Sequence, residues 1–502
     1  MKSNSSFKTT FIFTVFIFTS DALWAAKPIK WRDVLKGVNG SSVQKAAANS
    51  KKKNDINSEP KNVNPTSPDY QFLMGDKYHN GDGVPIDFAQ AAIWYRKAAL
   101  QGHRQAQFAL GNCYSHGEGV AQDDVQAVFW YQKASAQGLA IAQAALGFCY
   151  FSGQGVAINP VEAVRLFRLS SGQGQAEGHL GLGFCYYSGE GVSRDYVQAV
   201  AWYRKAAELG EANAQVCLGD CYNAGEGVVR DLEKAATWYA EATAQGLASG
   251  QVALGNCYFD GDGVPRDLVK AVSLYLKAAD QGEASAQYML GYCYYSGEGM
   301  PKDLSKAFLW FKDSARLDFA EAQFMLGQCF QNGEGVAKNI TESLFWYRKA
   351  AEQGDADAQA ILGDFYLAGE VLPRDLTKAF DCYRKAAEQG QVNAQASLGS
   401  MFASGIGVQK NYVQAVVWLR KAAEQGSSTA QAELGAHYAL GLGVAKDEVE
   451  AYAFWNLAGI ENGDARKWLA ELEKRMSSEA RLHGQHRTKE LQKEIEAVQA
   501  GR

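Results

Sequence analysis

Seven cysteines stand in register: Cys113, Cys149, Cys185, Cys221, Cys257, Cys293 and Cys329 follow one another at intervals of 36 residues. Cys217 and Cys382 complete a total of 9. Thiols in such order could form disulfides, ligate zinc or sense redox state. Later members of the same register are Phe365, Met401 and His437. Phenylalanine and methionine are fillers of apolar space. Equivalent positions on adjacent helix pairs stand about 8–10 Å apart, beyond the reach of a disulfide. Cys217 and Cys221 lie one helical turn apart, which is poor disulfide geometry. Zinc needs four converging ligands, and the chain has no Cys-x-x-Cys pair. The register therefore predicts buried, reduced thiols that act as packing residues.

Other candidate chemistry is sparser. Asp260-Gly261-Asp262-Gly263 has the look of a calcium loop, but Ala271 stands where an EF-hand requires its closing glutamate. The recurrent Gly-x-Gly segments follow helices rather than strands, so they do not read as phosphate loops. His79, His103, His116, His179, His437, His483 and His486 keep no constant spacing from a nucleophile or a carboxylate. No Gly-x-Ser-x-Gly elbow and no His-Glu-x-x-His helix occurs. The sequence offers no catalytic residue, no cofactor site and no metal site.

What positions the cysteines is a repeat. A glycine recurs at Gly75, Gly111, Gly147, Gly183, Gly219, Gly255, Gly291, Gly327, Gly363, Gly399 and Gly435. In the fourth copy it is embedded in Leu182-Gly183, Tyr186, Gly189-x-Gly191-Val192, Asp195, Ala199, Trp202-Tyr203, Lys205-Ala206-Ala207 and Gly210. A period of this length marks a solenoid, in which each unit buries its apolar face only by stacking on neighbours. Leu182 and Tyr186, with a small residue at 178, share one face of a first helix over about 176–187. Gly183 costs roughly 1 kcal/mol relative to alanine within a helix, so it predicts close approach of another helix. Gly189 and Gly191 end that helix, and Asp195 caps a second over about 196–209. Gly210 ends the second.

This pattern resembles the Sel-1-like repeat family over residues 67–462. The resemblance implies an all-α, right-handed superhelical solenoid of eleven 36-residue helix-turn-helix repeats, similar to the tetratricopeptide fold. It implies an adaptor for protein complexes, among them bacterial envelope and host-contact proteins. One cysteine-rich branch of the family has been linked to penicillin binding. That branch carries two cysteines per repeat, which this chain does not. Some copies depart from the pattern: Asn159-Pro160 replaces the capping aspartate in the third, Val371 the second turn glycine in the ninth, and Trp455 lies one place late in the eleventh.

The ends differ. Residues 1–25 read as a signal peptide, with Lys2 and Lys8, an apolar run from Phe11 to Phe18, and cleavage after Ala25 or Ala26. The run is too short to span a bilayer. Residues 26–66 read as a basic, disordered linker around Lys51-Lys52-Lys53. Residues 463–502 read as capping helices, with Ser478 the expected cap of the last. A net charge of −5 on 502 residues gives no case for nucleic-acid binding. The expectation is an exported protein, periplasmic or secreted, without a transmembrane span after cleavage.

The repeat also places a stripe of large side chains opposite the leucine–tyrosine face of the first helices. Three, one and four positions from the central glycine, before or after it, it contains Phe108, Phe148, Phe151, Phe184, Tyr187, Phe259, Tyr288, Tyr292, Tyr295 and Phe324. The tenth copy has only Ala396, Ser400 and Ala403 there. By resemblance to tetratricopeptide solenoids this face lines the concave groove. As an exposed aromatic row it would bind a protein or peptide partner; packed between repeats, it would be core. The alternative function is a cell-envelope glycan or β-lactam-binding protein or enzyme. Asp76, Asp220 and Asp364, the acids of that face, lie in distant copies, which disfavours a glycosidase pair.

Overall fold

The computed structural model describes residues 64–500. Residues 1–25, read above as a signal peptide, and nearly all of residues 26–66, read as a linker, lie outside the described residues. Within them, 24 helices follow one another without a strand. They fall into two compact units that divide between Ala278 and Ala279. Each unit is a stack of helix pairs, one pair per repeat, closed in the second unit by two additional helices.

The fourth copy shows how local sequence dictates the pair. Its first helix is Ala176–Ser188 and its second Tyr196–Glu208, both of 13 residues. Gly189 takes the left-handed conformation at φ 79° and its N–H donates to the carbonyl of Cys185. A side chain at that φ would be strained, which is why the position is glycine. The Asp195 carboxylate accepts from the N–H of Gln198 at 3.0 Å and starts the second helix. Asn159 does the same in the third copy, 3.1 Å from the N–H of Glu162, with Pro160 in the first turn. The departure there preserves the cap.

Two features correct the expectations. The mid-helix glycine makes room first for a side chain of the second helix, a ring in every copy but the tenth, where it is Leu419. A Cβ on Gly183 would lie 2.4 Å from Tyr203 Cδ1, and one on Gly363 would lie 2.7 Å from Tyr383 Cε1. The second glycine of the turn does more than end a helix. A Cβ on Gly191 would lie 2.4 Å from the carbonyl oxygen of Pro160 in the preceding copy. The turn of each such copy thus rests on the start of the previous copy's second helix.

Alanines carry the helix contacts: Ala199, Ala206 and Ala214 are wholly buried, as is the adjoining Tyr203 ring. A glutamine pair joins the start of each first helix to the end of its second in several copies. Gln137 Nε2 donates to Gln107 Oε1 at 2.7 Å, and Gln425 to Gln395 at 2.7 Å. In the eleventh copy Trp455 occupies the place of the buried tyrosine, against Gly435, and its Nε1 donates to the carbonyl of Ala432 at 2.9 Å. The apparent shift of tryptophan is thus a substitution of one large ring by another.

The repeats give way to helices Gly463–Glu473 and Ser478–Ala500. The longer one lies on Glu448–Ala458, where Arg487 Nε donates to Glu450 at 2.7 Å and Leu491 is buried. Its cap is Ser477, one residue before the expected serine, and it accepts from the N–H of Ala480 at 3.1 Å.

Candidate functional site

Whether the aromatic stripe is surface or core depends on the second helix of the same copy. Eight residues past its cap, that helix directs a large side chain at the first helix. In five copies the side chain is a tyrosine whose hydroxyl donates to an aspartate or asparagine one residue past the central glycine. The pairs are Tyr95–Asp76 and Tyr131–Asn112 at 2.8 Å, Tyr239–Asp220 at 2.8 Å, Tyr275–Asn256 at 2.7 Å and Tyr383–Asp364 at 2.6 Å. A buried hydroxyl needs such a partner. Where the second helix instead supplies Phe167 or Phe311, the facing residues are aromatic: Phe148 for the first, and Tyr288 and Tyr295 for the second. Phe148 meets Phe167 edge-on, with ring centroids 4.8 Å apart. Two tyrosines depart from this pairing: Tyr203 faces Phe184, edge-on at 5.6 Å, and Tyr347 donates to Gln331 at 2.6 Å.

The ten stripe residues therefore divide. In the first unit Phe108, Phe148 and Phe184 are core, 5%, 1% and 8% exposed. In the second unit Tyr288 is core at 3% exposed, packed on Phe311 and Phe319. These four present no surface to a partner, because each fills the space between its own copy's helices. Phe151, Phe259, Tyr292, Tyr295 and Phe324 are half-buried, and Tyr187 is 39% exposed.

Position four past the glycine has a further role. The Tyr187 hydroxyl donates to Glu226 at 2.7 Å, and that of Tyr295 to Glu334 at 3.3 Å. His79 Nε2 pairs with Glu118 at 3.3 Å, which raises the proton affinity of the imidazole. Each acid sits between the two turn glycines of the next copy. These contacts latch neighbouring copies and leave the tyrosine rings partly open. The sequence signal was available, since each pair is 39 residues apart, but the stripe alone did not reveal it.

Burial pushes the carboxyl of Asp76 up to about 6 and that of Asp220 up to about 7, in each case opposed by the tyrosine hydroxyl. Asp364 is raised in the same way. All three acids are held by tyrosines of their own copies, and no two converge. Eight of the cysteines are buried, Cys382 is half-buried, and none is in a disulfide. Burial pushes the thiols of Cys113, Cys149, Cys185, Cys257, Cys293 and Cys329 up to about 12. Such thiols are protonated and unreactive near neutral pH.

The histidines of the repeats have local partners. His103 caps a helix by accepting from the N–H of Ala106 at 3.1 Å. His179 hydrogen-bonds Ser171 at 2.7 Å and stacks on Trp202. His437 Nδ1 lies 2.7 Å from the carbonyl oxygen of Leu442. Among the described residues no three His, Cys, Asp or Glu side chains converge as a metal site would require.

Comparison with known proteins agrees with this architecture. The Sel1 repeat pattern matches eleven consecutive segments, from 68–103 to 428–461. The structure is similar to that of a protective antigen present in uropathogenic Escherichia coli strains that displays an SLR fold. The two share 37% identity over 88% of this chain and 97% of the other, with a TM-score of 0.56. It is also similar to a Sel1 repeat protein from Oxalobacter formigenes, at 30% identity over 75% of this chain and 96% of that one, with a TM-score of 0.43. No curated protein sequence matches the chain.

Proposed function

The chain belongs to the Sel1 repeat family, whose members are generally protein–protein interaction scaffolds, and we propose that it is an exported scaffold that binds a protein or peptide along its first-helix face. The observation that carries the reading is the set of large aromatics left partly open on that face: Phe151, Tyr187, Phe259, Tyr292, Tyr295 and Phe324. Tyrosine rings held by a hydroxyl latch are stiff and amphipathic. They lose little freedom on binding and can both pack and hydrogen-bond.

Export rests on the charged start, the short apolar run and the small residues near Ala25 and Ala26. No helix among the described residues is long and apolar enough to cross a membrane.

The binding test begins with selection of displayed peptides against the mature chain. The affinities of the selected peptides are then measured for Tyr187→Ala and Tyr292→Ala. Loss of a hot-spot ring costs about thirtyfold in affinity, with little change in melting temperature. A large drop in melting temperature without a specific binding defect would overturn the reading. Intact-mass analysis of protein from the native host checks export: the expected chain starts at Ala26 or Lys27, and a chain starting at Met1 contradicts it.

A further inference from the structure

We propose that the first copy is a proton-operated end piece of the array. It is held on the second copy by a contact between the His79 imidazolium and the Glu118 carboxylate, and it is released from that copy as His79 loses its proton.

Position four past the central glycine latches onto the next copy through a tyrosine in the fourth and seventh copies, and it is histidine only in the first. A tyrosine hydroxyl donates to glutamate throughout the neutral range. His79 is different. Its Nε2 lies 3.3 Å from Glu118 Oε2, and its Nδ1 lies 3.2 Å from Asn80 Oδ1. Both ring nitrogens thus face oxygens, and only the imidazolium donates from both. The other groups around the ring favour the same charge. Asp76 stands one turn earlier on the same helix, with Asp82 in the turn beyond. The second helix of the first copy contributes the rings of Phe88 and Tyr95, 5.3 Å and 6.4 Å away, and the Tyr95 hydroxyl donates to Asp76 at 2.8 Å. From the second copy His116 also faces Glu118, and its Nδ1 lies 2.9 Å from the carbonyl oxygen of Asn112.

The hydrogen bond to Glu118 raises the proton affinity of His79 against the opposing effect of burial, and the same contact holds Glu118 below the ordinary carboxylate range. Stabilisation from the pair is therefore complete below the ordinary imidazole value of 6.5 and is lost as the pH rises through the raised one. Asp76 acts in the same direction. Burial pushes its carboxyl up to about 6, so the fold favours the protonated acid, and that contribution also fades towards neutral pH. What the first copy covers is defined by packing. Its Tyr95 and Ala98 form one apolar cluster with Leu110, Cys113 and Trp130 of the second copy, where Cys113 is 2% exposed. In the first copy, where the array begins, the same register holds Lys77, which is exposed. It is thus the preceding copy that buries this position. A terminal unit of a solenoid is held by one neighbour and can open alone. Release of the first copy uncovers Cys113.

The reactivity of Cys113 reads this opening. The folded chain is alkylated with N-ethylmaleimide at pH 5.5 and at pH 8, and Cys113 is followed by peptide mass spectrometry. Its rate is compared with that of a short peptide spanning Cys113 at the same pH, which removes the change in thiolate fraction. The protection so measured should fall by at least about threefold from pH 5.5 to pH 8. Glu118→Gln, which leaves Asp76 in place, should lower the protection at pH 5.5 and leave a smaller fall. His79→Tyr combined with Asp76→Asn gives the first copy the latch of Tyr187 and the acceptor of Asn112, and its protection should no longer vary with pH. Melting curves confirm that the variants fold, and the wild-type and Glu118→Gln comparisons require no new ring to be packed. Equal protection of the wild type at both pH values would overturn the proposal, as would unchanged protection in Glu118→Gln or a fall that persists undiminished in the double variant. An equal fall at Cys149 would mean that the array loosens as a whole, and would overturn it as well.

Discussion

The third and fourth copies and the ninth and tenth copies use one register for opposite ends. In the former, Phe148 and Phe184 fill the residue after the central glycine and are sealed against Phe167 and Tyr203. In the latter, the same place holds Asp364 and Ser400, and the face opens into a cavity. The backbone pattern is the same in both. What differs is the volume and polarity of one side chain and of the residue 19 positions later. A periodic position is thus not a role: the facing partner decides whether it is core, hydrogen-bond acceptor or surface.

The sharpest way to break this contrast is to truncate both sides of it. Phe148→Ala should cost about 3–5 kcal/mol, since a buried ring leaves a cavity. Ser404→Ala, at the exposed rim of the open face, should stay within about 0.5 kcal/mol. Chemical denaturation of the two variants measures both. A solenoid can unfold in parts, so the Phe148→Ala loss should appear first in a probe local to the first unit. Equal effects would mean that the two faces are packed alike.

A smaller effect is expected from the polar pairs. Tyr239→Phe leaves the Asp220 carboxyl without its donor, for a loss of about 1–3 kcal/mol. Removing both partners with Asp220→Leu should recover part of it, and a double-mutant cycle reads the coupling.

Asp220 also gives a dependence on pH. Burial raises its folded pKa from 3.8 to about 7, so the fold favours the protonated acid. That stabilisation is complete below about pH 4. It is lost as the pH rises towards 7, where the folded protein must ionise a group that the unfolded chain ionised earlier. Asp220→Asn should therefore gain in melting temperature relative to wild type across that interval and hold a constant difference above it. A difference that does not vary with pH would show that the carboxyl is solvated in the fold.

The smallest perturbation is chemical. A thiol titration of the folded protein should find few fast-reacting groups, with Cys382 the first, and all 9 after unfolding without reductant. Oxidised pairs recovered after denaturation would show that the register joins copies rather than packing them.

Much of this molecule was legible in its residues. The 36-residue period, the two helices, the left-handed glycine at each turn and the aspartate caps follow from local chemistry. Backbone conformation and capping involve residues close in sequence, and a pattern repeated eleven times states them repeatedly. The cysteine register read correctly as packing for the same reason, because Phe365 and Met401 betray the shape of the space. The candidate surface was legible only in part. Helical spacing places Phe148, Tyr187 and Tyr292 on one face, but it cannot say what stands opposite. Phe148 is core because Phe167 meets it, Tyr187 is half open because Glu226 of the next copy takes its hydroxyl, and the cavity beside Ser400 is lined by the small Ala396 where other copies carry a ring. Periodicity alone determined the elements and their facing. Burial, latch and pocket were decided by side chains from different helices, and that is a property of packing in three dimensions.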